Sequence, residues 1–131
     1  MKQSLALAGL LGLLLAGAAH AAKVDRYYSK TYNACMDTAG GSTMPMAECM
    51  GAEHDAWDAQ LNKVYQVLMA SRPAAAKAEL RDDERAWLKR TQHKCDHAGD
   101  DEVGGSLQNT EIDQCNLDET ILRTVYLRSL H

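Results

Sequence analysis

The chain reads as all-α: a small disulfide-stapled helical bundle built around a central antiparallel helical hairpin. Three observations predict this. Apolar residues recur at spacings of three and four along much of the chain. Glycine and proline act as punctuation at Gly40-Gly41, Pro73, Gly99 and Gly104-Gly105, dividing it into four pieces with helical character. Four cysteines, Cys35, Cys49, Cys95 and Cys115, stand behind an N-terminus shaped like an export signal. Little beyond that signal reads as a strand.

The N-terminus comes first. Lys2 supplies a positive start, Leu5 to Ala19 is apolar, and Ala19-His20-Ala21 offers small residues where a signal peptidase reads. We expect residues 1–21 to be a signal peptide and 22–131 to be one helical domain. The apolar run of 15 residues is short of the span of about 20 that crosses a bilayer. No cysteine follows it closely, so neither a lipid anchor nor a stable membrane anchor is expected. A periplasmic or secreted protein is. Removing the signal takes away Lys2 and no acid, which moves the formal charge from -4 to -5. Without a basic stripe, nucleic acid is excluded as a partner. An even cysteine count behind an export signal points to disulfides rather than metal ligands or a nucleophile.

Val24 to Ala39 places Tyr28, Tyr32 and Cys35 on one helical face, and Gly40-Gly41 ends it in left-handed geometry. Met44 to Ala70 follows, with Thr43 as N-cap and Pro45 in the first turn. Its stripe is Trp57, Leu61, Val64 and Leu68, widened by Tyr65, opposite Asp55, Asp58, Asn62 and Lys63. Pro73 breaks the chain, and Ala74 to His97 resumes it with Leu80, Trp87, Leu88, Thr91 and Cys95 facing inward. Asp83 and Glu84 interrupt that stripe, and a buried carboxylate needs a partner. The short joint at Pro73 predicts an antiparallel hairpin of these two helices. After a polar loop, Gly99 to Ser106, the last helix runs from about Thr110 to Ser129 on Leu117, Ile121 and Val125, with Leu122 and Tyr126 beside them. Thr110 with Asp113 resembles a capping box.

The cysteines allow three pairings. The sequential one, Cys35–Cys49 and Cys95–Cys115, closes two short loops, each holding a Gly-Gly that turns the chain back. Its rival is Cys49–Cys95 with Cys35–Cys115. In a hairpin broken at Pro73, Cys49 lies 24 residues back and Cys95 lies 22 onward, so the two come close. The sequential pattern is the expectation and the rival stays open.

The series Asn33-Ala-Cys35, Thr43, Glu48-Cys49, Leu61-Asn62-Lys63-Val64-Tyr65 with Leu68, Leu80, Arg85-Ala86-Trp87, Arg90, Cys95, Gly104-Gly105-Ser106, Cys115, Thr120 and Arg123 resembles the LprI-type lysozyme-inhibitor domain. That is a family of small exported bacterial proteins. The resemblance spans nearly all of the chain after the signal. It implies an α-helical domain outside the cytosol, and an inhibitor of lysozyme as its activity. The chain lacks the lipid-attachment cysteine of the lipoprotein member behind the family name. Glu84 and Asp83 stand where members often carry Gln and a small residue.

Gly104, Gly105 and Ser106 form the leading binding candidate. They lie between the last two cysteines, and a stiff loop with a small hydroxyl can enter an enzyme cleft at low entropic cost. Asp100, Asp101 and Glu102 precede them. An acidic tip suits a cationic lysozyme, and meets the basic rim of its cleft rather than the cleft's own carboxylates. His93 and His97 share a helical face, and His54 or Glu53 could approach them across the hairpin. With Cys95 oxidised the set is too poor for a metal site, so none is expected. Trp57 and Trp87 read as core. Among Arg85, Arg90 and Arg123, one is expected to neutralise Asp83 or Glu84. No catalytic triad, phosphate loop or dinucleotide fingerprint appears, so neither an enzyme nor a cofactor is expected. The function expected is protein binding: inhibition of a muramidase, or else an envelope-interaction or toxin-neutralising role.

Overall fold

The computed structural model describes residues 24–102 and 104–130. The expected signal peptide lies outside them. Among the described residues there are four complete α-helices and no strand. They are α1 (Lys30–Ala39), α2 (Thr43–Ser71), α3 (Ala74–Asp96) and α4 (Ser106–Arg128), with one 3-10 turn at Asp100–Glu102. No described helix is long and apolar enough to cross a membrane.

Local chemistry sets the boundaries. Helix α1 starts later than its apolar spacing suggests, because Ser29 caps it: the Ser29 hydroxyl accepts the Tyr32 N–H at 3.0 Å. Val24 and the tyrosines after it form a separate turn, with Val24 fully buried. Gly40 ends α1 at φ 55°, its N–H bonded to the Met36 carbonyl. Ser42 rather than Thr43 holds the N-cap position of α2, without a side-chain capping bond. It stops at Ser71 because Arg72, before Pro73, is held extended. Helix α4 begins at Ser106, four residues ahead of the expected start at Thr110. The Thr110 hydroxyl turns back to the Ser106 carbonyl at 3.5 Å, so the expected capping box does not form.

The disulfides follow the sequential pattern. Cys35–Cys49 has its Cα atoms 5.8 Å apart, and Cys95–Cys115 has them 5.4 Å apart. The rival pairing fails because α2 and α3 diverge from the Pro73 joint. Here the expectation of a central hairpin is corrected. The element at the centre is α4, parallel to α2 and antiparallel to α1 and α3. Its Leu117, Ile121, Thr124 and Leu127 are fully buried. The physical reason lies in α3, whose buried set is only Leu80, Thr91 and Cys95. Leu88, expected to face inward, is 54% exposed. So thin an apolar stripe cannot seat α3 against the length of α2.

Two cores result. One joins Val24, Tyr32, Met50, Trp57, Leu117 and Ile121 across α1, α2 and α4. The other, near Pro73, joins Leu61, Leu68, Leu80 and Leu127.

Candidate functional site

The parallel course of α2 and α4 brings their N-termini to one end of the bundle. The C-termini of α1 and α3 arrive at that same end, so both disulfides clamp it. Cys49 and Cys115 lie within the first three turns of α2 and α4, while Cys35 and Cys95 lie in the last turns of α1 and α3. The loop candidate caps this end. Asp100 and Asp101 belong to the 3-10 turn and are exposed, as are Gly104, Gly105 and Ser106. The backbone of Glu102 closes the same turn. Gly104 sits at φ 80°, which favours glycine, and its N–H reaches the Gln108 side-chain carbonyl at 3.3 Å. Gly105 is the N-cap of α4 and Ser106 its first residue. Ser106 is thus a helix start as well as a loop residue. Behind the loop, Gly99 is buried against α4, and a Cβ there would meet the Gln108 carbonyl oxygen at 2.6 Å. Met44, 73% exposed, and Ser106 border one small hollow at this end, with Leu107 exposed nearby. The acidic residues therefore share their surface with exposed apolar side chains, which composition alone did not suggest.

The interrupted stripe on α3 has its answer in Arg123. Its guanidinium is buried; Nε donates to Glu84 at 2.8 Å, and Nη2 donates to Glu84 and Asp83, each at 2.6 Å. It also lies over the rings of Trp87 at 5.4 Å and Tyr126 at 4.9 Å. Of the three arginines considered, Arg123 neutralises both acids. Trp87 is half-buried: it packs against the Leu61–Leu127 core, as expected, and also walls the groove. Trp57 is core, edge-on to Tyr27.

Glu53 is no metal partner. It is buried, accepting the Ser29 N–H at 2.8 Å, the Ser29 hydroxyl at 2.6 Å and the Trp57 indole N–H at 3.2 Å. It ties the chain before α1 to α2. His54 bonds Thr120 at 3.2 Å, while His93 and His97 stack on each other at the surface. Among the described residues no group of three or more His, Cys, Asp or Glu side chains could hold a metal ion. A second polar cluster escaped sequence reading. The Tyr28 hydroxyl donates to Asp118 at 2.5 Å, and the Tyr32 hydroxyl to Gln114 at 2.9 Å. Gln114 in turn donates to Asp118 at 2.8 Å. Burial, then the neighbouring carboxylate, pushes the Tyr28 phenol far above its ordinary range. Burial also raises the phenol of Tyr32 and the carboxyl of Asp118.

Between the diverging α2 and α3 lies a groove of about 700 Å³. Its α2 wall includes Asp58, Asn62 and Tyr65, its α3 wall Arg81, Arg85 and Trp87, and its floor Asn116 and Thr120 of α4.

The family model "Lysozyme inhibitor LprI" matches residues 35–127, from the first cysteine to the last buried leucine. The chain belongs to the lysozyme inhibitor LprI family. An uncharacterized protein of Rhizobium meliloti (strain 1021) is 28% identical over 102 residues, covering 68% of this chain and 73% of that protein. No solved structure matches. The LprI match takes in all four cysteines, the Arg123 network and the loop end, so the clamped end lies inside the family region.

Proposed function

We propose that this protein is a proteinaceous lysozyme inhibitor, working in the periplasm or outside the cell. Membership of the LprI family carries the reading, and the double clamp on the loop end supports it. The mechanism is steric. Gly104, Gly105 and Ser106 obstruct the substrate cleft of a muramidase, while Asp100, Asp101 and Glu102 engage cationic groups on its rim. A loop held by disulfides loses little conformational freedom on docking, and acid facing base speeds encounter. Exposed Met44 and Leu107 supply apolar contact beside the charges. No chemistry on substrate is involved, so the protein acts as a plug.

The test mixes mature, oxidised protein with c-type and g-type lysozymes and follows lysis of a cell-wall substrate. The expected result is inhibition at micromolar protein, weakened by the Asp100→Asn/Asp101→Asn variant and by added salt. Absence of both inhibition and binding at that concentration defeats the proposal.

A further inference from the structure

The groove between α2 and α3 shares no residue with the loop end, and its lining has a chemistry of its own. From that lining we infer a second site, which takes a short oligosaccharide carrying carboxylate groups. The inference goes beyond the inhibitor reading and does not rest on it.

Size comes first. About 700 Å³ falls inside the roughly 300–1,000 Å³ typical of small-ligand sites. Aromatic surface comes next. Trp87 and Tyr65 stand on opposite walls. The C–H faces of a pyranose ring carry partial positive charge and pack on the electron-rich face of such rings. Arg123 lies over the Trp87 ring and is itself held by Asp83 and Glu84, so the Trp87 platform is braced from behind. Amide side chains complete the neutral part of the lining. Gln92 presents donors and an acceptor, Asn116 keeps one N–H and its carbonyl beyond its bond to the Ile112 carbonyl, and Asn62, whose N–H groups are spent on Asp58, offers its carbonyl oxygen, a mix that suits neighbouring sugar hydroxyls and acetamido groups.

Charge selects among sugars. Arg81 and Arg85 sit one helical turn apart on the α3 wall, both exposed. Among the described residues Arg81 makes no ion pair, and Arg85 has only a loose one with Asp82 at 3.7 Å. Among the described residues only Glu84 of the groove's acids has a cationic partner; Asp58, on the α2 wall, has only a neutral amide, and Asp96 is distant. Glu84 is bound to Arg123, and Asp58 accepts from Asn62 at 3.0 Å. Asp96 lies at the far end of α3. Arg81 and Arg85 therefore place two guanidinium forks on the α3 wall toward Pro73, where they can hold carboxylates. Its walls are helices whose backbone groups are already paired, so an extended peptide would find no main-chain partner there.

The probes are a tetrasaccharide containing N-acetylmuramic acid, which bears carboxylates, and chitotetraose, which bears none. Binding is read by calorimetry and by tryptophan fluorescence, because Trp57 is buried in the other core and Trp87 alone lines the groove. We expect saturable binding of the acidic sugar, about tenfold tighter than the neutral one. Arg81→Ala/Arg85→Ala removes that preference and Asn62→Ala weakens both sugars, with circular dichroism unchanged because all three side chains are exposed. The proposal is overturned by three results: no saturable binding of the acidic sugar at millimolar concentration, equal affinity for the two sugars, or affinity indifferent to these substitutions. Muramidase inhibition by the double arginine variant is measured in parallel. Since the loop is untouched, it stays at the parental level, and failure of either reading shows independently of the other.

Discussion

Arg123 illustrates how much one side chain settles. A guanidinium this buried is tolerable only because three charge-assisted bonds reach it from Asp83 and Glu84. Arg123→Leu should cost about 3 kcal/mol, since it leaves Glu84 buried without its partner. The loss should shrink when Asp83→Asn and Glu84→Gln are added, read from urea midpoints of the single and triple variants. The Tyr28–Asp118 pair behaves differently. The carboxyl of Asp118 is raised in the folded protein, so its favourable contribution is complete below the unfolded value of about 3.9 and is lost as pH rises through the folded value. Asp118→Asn should accordingly gain on the parent, in urea midpoint, as pH climbs from 4 to 7. The phenols of Tyr28 and Tyr32 are raised as well, so their contribution holds up to about pH 10 and is lost above it. Absorbance near 295 nm should show two phenols that ionise only with alkaline unfolding.

At the level of elements, the clamped end depends on sulfur and on one close approach. Each disulfide closes a short loop, with separations of 14 and 20 residues, and chain entropy assigns about 3 kcal/mol to each. Cys95→Ser/Cys115→Ser should lower stability by that amount and raise amide exchange in residues 97–106 before it does so in α2. Gly99→Ala is the sharper probe. Its new Cβ would lie 2.6 Å from a backbone oxygen and 2.9 Å from the Cα of Gln108. We expect a loss of about 2 kcal/mol by thermal unfolding, and weaker muramidase inhibition where Gly105→Ala has little effect on stability.

For the molecule as a whole, the question is which helix holds the others. With α4 at the centre, Ile121→Ala should cost about 3–4 kcal/mol, whereas Leu88→Ala, at a site 54% exposed, should change stability by under about 0.5 kcal/mol. A bundle built on the α2–α3 hairpin would reverse that order. Chemical denaturation of the two variants decides it. The divergence of α2 from α3 is also what creates the groove, so one feature of α3 governs both packing and binding surface. The clamped end and the groove are separate surfaces, which the two proposals assign to a macromolecule and to a smaller ligand.

The sequence by itself determined the helical class, the breaks at Gly40 and Pro73 and the need of Asp83 and Glu84 for a partner, and it favoured the sequential cysteine pairing that the structure then decided. Each rests on chemistry local to a few residues: spacing, turn geometry, short loop closure, or the cost of an unpaired charge. Caps were less legible, because Ser29 and Ser42 look no different in sequence from the serines and threonines around them. Only the tertiary structure decided that α4 is the centre, that Trp87 also walls the groove, that Glu53 ties Ser29 to Trp57, and that Tyr28 meets Asp118. Those outcomes depend on which helix faces win the competition for burial. Contacts across 24 to 90 residues of chain leave no periodic trace in the segments they join.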